Sequence, residues 1–288
     1  MAELLIQTAV NAAYAASYMA LIAVGLVLIF GVMGVINFAH GELYMAGAYA
    51  IVYLYAGMQM PFLVAVAIGL AFVGGLGLIM EWGMFRPLRD NPLGGLIASI
   101  GFLLVLQSSA VLLFGVRAQN VPAVSRERLD VAGAVLTYDR FMVIAATIIL
   151  LSALWAFLRF TRYGRALRAV SQDREAAALQ GISINQTARW AMFIGAALAG
   201  VAGALTAPLV PTTPYMGHAV IVTAFIIIIV GGIGSLEGAV IAAILYAVVH
   251  TLVTTFFDGV IANIVGLLLM LVVLIIRPQG LFGAQERA

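Results

Sequence analysis

Apolar residues run through this chain in long blocks with almost no polar alternation. From the N-terminus, the blocks cover residues 8–31, 38–56, 62–85, 93–114, 140–158 and 187–207, and three more follow at 219–230, 238–257 and 260–276. A helix needs about 17–25 mostly apolar residues to cross a bilayer, and all but 219–230 meet that length. The pattern predicts an all-α protein, a polytopic transmembrane bundle of about eight or nine spans with broken helices. The block at 219–230 is either a half-helix or a span that borrows residues 216–218. No soluble domain, linker or low-complexity tract interrupts the pattern, so residues 1–288 read as one membrane domain. The opening MAELLIQTAVNAAY lacks a basic region and a small-residue cleavage site, and reads as the start of a retained span.

Charge breaks the apolar pattern at few places. Arg86 and Arg89 follow the third block, Arg277 follows the last, and residues 159–186 hold Arg159, Arg162, Arg165, Arg168 and Arg174, with Arg189 just beyond. Loops rich in arginine stay on the cytoplasmic side, so these three regions are expected there. Residues 115–139 set Arg117, Arg126 and Arg128 against Glu127, Asp130 and Asp139, and this balanced loop suits the outer side. The expected orientation is N-terminus out and C-terminus in. Within the outer loop, VAGAVLTYD places Gly133 among β-prone residues and predicts a small hairpin.

Composition narrows the functional classes. Hydrophobic residues make up 64% and charged residues 9%, with a mean hydropathy of +1.14, whereas a soluble domain carries roughly 25% charged residues. There is no cysteine, hence no disulfide and no thiol chemistry. There is no lysine either. A Walker A phosphate loop and a Schiff base both require lysine, so this chain does not itself hydrolyse ATP and is not read as an enzyme.

Candidate chemistry gathers in a few stretches. In INFAHGELYMAGAYA (residues 36–50), Asn37, His40 and Glu42 fall within one apolar block. Ionisable groups at membrane depth cost several kcal/mol unless they face a cavity or a partner. One reading is a broken helix whose N-terminal amides face a transport path and suit a solute carboxylate. The other is a cap at the cytoplasmic surface, with His40 and Glu42 paired to neighbours. Tyr44, Ser99 and His250 (the last near Thr251, Thr254 and Thr255) are further candidates for the path. One His and one Glu are too few for a metal site, so no metal is expected.

In residues 159–186, Asp173, Arg174 and Glu175 open a short helix, Ala176 and Ala177 continue it, and Gly181 is placed to end it in the left-handed conformation. Ser183 or Asn185 then caps the next helix. This is either a docking helix for a soluble partner or an ordinary basic loop. Gly195, Ala199 and Gly203 make a small-residue face for packing within the chain or against a second subunit. GGIGSLEG (residues 231–238) supplies Gly231, Gly232, Gly234 and Gly238, with Gly234 and Gly238 at a close-packing spacing. It echoes residues 34–47, since both are glycine breaks beside an acid expected to be buried. Glu81 is expected to pair with Arg86.

IFGVMGVINFAHGELYMAGAY (residues 29–49), EAAALQGISINQTARWAMFIGAALAGVAGAL (residues 175–205) and VGGIGSLEGAVIAAIL (residues 230–245) together resemble the branched-chain amino acid ABC transporter permeases, most of all their H-type subunits. The resemblance runs from about Tyr14 to Gly283. Glu175, Ala176, Ala177 and Gly181 resemble the start of the EAA loop of ABC importers, although its proline-containing tail is missing. The resemblance implies a permease in the bacterial inner membrane that pairs with a second, M-type permease. Two cytoplasmic ATPases holding ATP and Mg, and a periplasmic solute-binding protein, would complete the complex. No nucleic-acid partner is expected. It also makes Glu175 to Gly181 the coupling helix, with Arg174 beside it, and Asn37, His40 and Glu42 a wall of the path. A stand-alone channel or ion-coupled carrier for a solute such as urea or an amide is the alternative, although such carriers usually need ionisable groups in their spans.

Overall fold

The computed structural model describes residues 2–131 and 133–283. It is an almost wholly helical bundle. The helices are α1 (Ala2–Met33), α2 (His40–Ile51, continuing as a wider π-helical turn over Val52–Gly57), α3 (Phe62–Met80, continuing likewise over Glu81–Phe85), α4 (Pro92–Phe114), α5 (Tyr138–Phe160), α6 (Arg162–Gln172), α7 (Arg174–Leu179), α8 (Ile184–Thr206), α9 (Met216–Gly231), α10 (Leu236–Phe256) and α11 (Gly259–Ile276). Seven of these helices are long and apolar enough to cross a membrane. α2 and α9 are shorter, so α9 begins at Met216, the extension that the sequence left open, and stays below full spanning length.

α1 and α8 form the centre: 78% of the apolar window of each is buried, against 17% for α4 and 11% for α11. Small residues bring the central helices together. Gly195 of α8 lies against the Gly25 carbonyl and Ile29 of α1, and a Cβ on Gly195 would come within 2.6 Å of that carbonyl. Gly203 meets the backbone of α2 at Tyr44 and Ala48, while Gly77 of α3 meets Met192 and Ala196. The small face of α8 is thus spent inside the chain, and Ala199 is fully buried there. Gly234 corrects an expectation. It has nothing within 4 Å of a built Cβ, and the close contact of this turn is between Gly231 and Gly238. Gly232 and Gly234 (φ +103° and +90°) make the reversal itself.

The two ends of the bundle differ. At one end, β1 (Arg128–Val131) pairs antiparallel with β2 (Ala134–Thr137), as expected, with Gly133 at φ +85° in the turn. Val135 of this hairpin exchanges hydrogen bonds with the Gln7 side chain of α1 (2.9 and 3.2 Å). The other end gathers the arginine-rich helices α6 and α7, the α9–α10 turn and the segment 280–283. Leu281 and Phe282 donate their amides to the Val230 and Gly231 carbonyls. Glu237 at this turn is exposed, so its likeness to the buried Glu42 fails.

Candidate functional site

The unusual geometry begins where α1 ends. Gly34, at φ +66°, turns the chain back, and residues 34–39 run into the bundle before α2 starts. His40, in the first turn of α2, donates from Nε2 to the Ile22 carbonyl of α1 at 3.1 Å. Ile22 lies about 16 Å of helix before Met33. α2 therefore starts inside the bundle, not at its surface, which removes the surface-cap reading.

Two side chains hold the break. Asn37 Oδ1 accepts from the Ala39 amide (3.0 Å), and Ser99 Oγ of α4 accepts from the Phe38 amide (3.1 Å). Asn37, His40, Glu42 and Ser99 are all fully buried. Asn37 Nδ2, His40 Nδ1 and both oxygens of Glu42 have no hydrogen-bond partner. The Glu42 carboxyl rests on Gly217 at the start of α9, where a Cβ would approach it to 2.6 Å. The nearest basic group is His218 Nδ1, 3.7 Å away, and Gln107 Nε2 of α4 lies 3.4 Å from that same nitrogen. Sequence reasoning missed His218 and Gln107. Their signal was a polar residue in or beside an apolar block, but nothing local ties either to Glu42.

The other two path candidates lie elsewhere. Tyr44 donates its hydroxyl to Thr206 Oγ1 (2.6 Å), which bonds back to the Ala202 carbonyl, so Tyr44 seals the α2–α8 contact. His250 stacks on Tyr246 (5.6 Å) and bonds Asn263 (3.2 Å). It lines a cavity of about 160 Å³ with Tyr18, Ile22 and Thr223. Ile22 is also the residue whose carbonyl takes the His40 hydrogen bond. The nearby Thr255 bonds the Thr251 carbonyl of its own helix.

At the arginine-rich end the chain makes two helices where one was expected. α6 is capped by Thr161, whose Oγ1 accepts from the Gly164 amide (2.9 Å). It buries Gly164, Leu167 and Val170 and exposes Arg162, Arg165 and Arg168. α7 follows at once, capped by Asp173 Oδ1 on the Ala176 amide (2.9 Å). Gly181 ends it at φ +81°, and the Ile182 amide bonds back to the Ala177 carbonyl (3.1 Å), which satisfies an otherwise orphaned carbonyl. Ser183, not Asn185, caps α8. On α7, Glu175, Ala176 and Gly181 are exposed and Arg174 is half-buried, but Ala177 is buried against the chain's own core. The projecting apolar group is Leu179, 88% exposed.

Glu81 also departs from expectation. Its partner is Arg89, at 2.9 Å, with Arg189 at 3.7 Å, and not Arg86. Arg89 bonds Asn185 as well, so the end of α3 is tied to the start of α8.

Residues 8–276 match the family model described as branched-chain amino acid transport system / permease component. The chain belongs to this family. Within it, the chain is 32% identical to the high-affinity branched-chain amino acid transport system permease protein LivH of Escherichia coli K12, over 98% of this chain and 96% of that one. It is 25% identical to the permease protein LivM of the same organism, over 91% of this chain and 67% of LivM. Among solved structures, PsaBC from Streptococcus pneumoniae in complex with Fab superimposes with a TM-score of 0.55 at 14% identity, covering 94% of this chain and 92% of that one. That likeness concerns the fold alone. For a permease of this family, a helix that begins inside the bundle and a charged short helix outside it are the two features with clear chemical use.

Proposed function

We propose that this chain is the H-type permease subunit of an ABC importer that carries branched-chain amino acids across a bacterial inner membrane. The observation that carries the reading is the start of α2. It sets Asn37, His40 and Glu42 inside the bundle with unpartnered polar atoms, and such groups are kept at membrane depth where a solute passes. Membership of the family and the similarity to LivH support the solute class. Similarity to LivM supports pairing with a second, M-type permease of related sequence.

Energy must come from outside the chain, because without lysine it has no phosphate loop. Two cytoplasmic ATPases would bind ATP and Mg, and α7 would be their docking element. α7 offers a capped rod with exposed Glu175 and Ala176 and an unpartnered Leu179 at its tip. The arginine bias of that end supports a cytoplasmic location. A periplasmic binding protein would deliver the solute to the hairpin end. Proteoliposomes holding the co-purified complex test this. Leucine uptake should require both ATP and the ATPase subunits; uptake by the permease pair alone would contradict it and favour a carrier.

A further inference from the structure

Glu42 is a buried acid to which the fold gives no hydrogen-bond partner at either oxygen. A carboxylate removed from water with neither oxygen hydrogen-bonded is costly, and proteins retain one where a cation comes to it. Among the described residues no arginine is paired with it, and His218 is the one basic side chain within 4 Å of it, its Nδ1 at 3.7 Å lying beyond hydrogen-bond reach. Gln107 Nε2 approaches the same nitrogen. In the tautomer in which Nδ1 accepts from Gln107, that nitrogen carries no proton for Glu42. The carboxylate is then held in place by Gly217 and left free to accept.

The surroundings are two-sided. His218 is 55% exposed on its side chain, and Gln107 is half-buried beside it. Val222, one turn along α9, is exposed, and beyond it Phe225 meets Phe38 edge-on with ring centres 5.1 Å apart. A polar corner thus adjoins an apolar wall. The sequence alone pointed to a solute carboxylate at the start of α2, but Glu42 occupies that first turn and would repel it.

We propose that Glu42, positioned by Gly217 and flanked by His218 and Gln107, holds the ammonium group of the passing amino acid while Val222, Phe225 and Phe38 face its branched side chain. This rests on the permease reading and names the group recognised at the same site.

The chain has no cysteine, so Val222→Cys in the assembled importer gives a single thiol in this subunit, and the partner subunits can be made cysteine-free. Its labelling rate would be measured with a trimethylammonium methanethiosulfonate and with the sulfonate analogue, each corrected for its rate with free thiol. The cation should react faster by about tenfold, as a single nearby carboxylate in a partly screened site predicts. Glu42→Gln should bring the ratio close to one, and Glu42→Asp should keep most of it. Isoamylamine should slow the labelling and isovalerate should not. An unchanged ratio in Glu42→Gln, or no labelling by either reagent, would overturn the proposal. Leucine uptake in the same vesicles separates the two claims. Uptake with no cation preference sinks this site alone, whereas a cation preference without ATP-dependent uptake sinks the permease reading.

Discussion

Glycine is the residue whose role here depends most on where it stands. A side chain on Gly195 must displace the Gly25 carbonyl and Ile29, whereas Gly101 of α4 and Gly75 of α3 face open space. Overpacking of this kind costs about 1–3 kcal/mol or more. Gly195→Leu should therefore lower the thermal unfolding midpoint and the yield in detergent, while Gly101→Leu should change neither measurably. Ser99→Ala should leave the Phe38 amide without its acceptor inside the bundle, a loss of about 1–3 kcal/mol that the same melting curve reads. A melting point equal to the parent's would show that the break is held by packing alone. The small residues of α8 and the polar trio around the start of α2 were legible in the sequence, because Asn, His and Glu stand out in an apolar block. What could not be read is which neighbours they meet. The contact of Glu42 with Gly217 and His218 joins residues about 175 positions apart, and no local periodicity encodes that.

Among the elements, α7 was read nearly to the residue, since its Asp173 cap and Gly181 stop are short-range signals with known geometry. α6 was missed: its buried Gly164, Leu167 and Val170 are spaced by three among three arginines, and the charge obscured the periodicity. Ala177 packs inward, so Ala177→Trp would disturb this chain's own core, whereas Leu179 and Ala176 face outward. Leu179→Asp should leave the permease folded and inserted, yet weaken retention of the ATPase subunits at least tenfold in pull-down, as loss of a central apolar anchor does. Gly181→Val should misdirect α7, because a β-branched residue at φ +81° is strained, and should uncouple hydrolysis from uptake. Full retention with normal coupling in both variants would move the docking site to the α9–α10 turn.

For the whole molecule, the count of apolar blocks gave the class and most of the helices, and the arginine bias gave an orientation to test. The block at 219–230 was the weak point, because length alone cannot separate a half-helix from a span; α2 and α9 begin within the bundle, at His40 and Met216, and meet there through Glu42 and Gly217. Single cysteines at Ala123 and Ser171, both exposed and on segments at opposite ends of the bundle, should differ in intact cells. An impermeant thiol reagent should label Ala123→Cys only, and labelling of Ser171→Cys from outside would invert the orientation. As proposed above, the start of α2 lies on the route of a solute moved by a partner's ATP hydrolysis. The most direct test of that placement is simultaneous measurement of leucine uptake and ATP hydrolysis by the reconstituted importer carrying Glu42→Ala. The account predicts an assembled complex that still hydrolyses ATP while uptake falls about tenfold or more, the loss expected when a charge-assisted contact worth about 1.5–3 kcal/mol is removed. Uptake and hydrolysis both at the parental rate would contradict it.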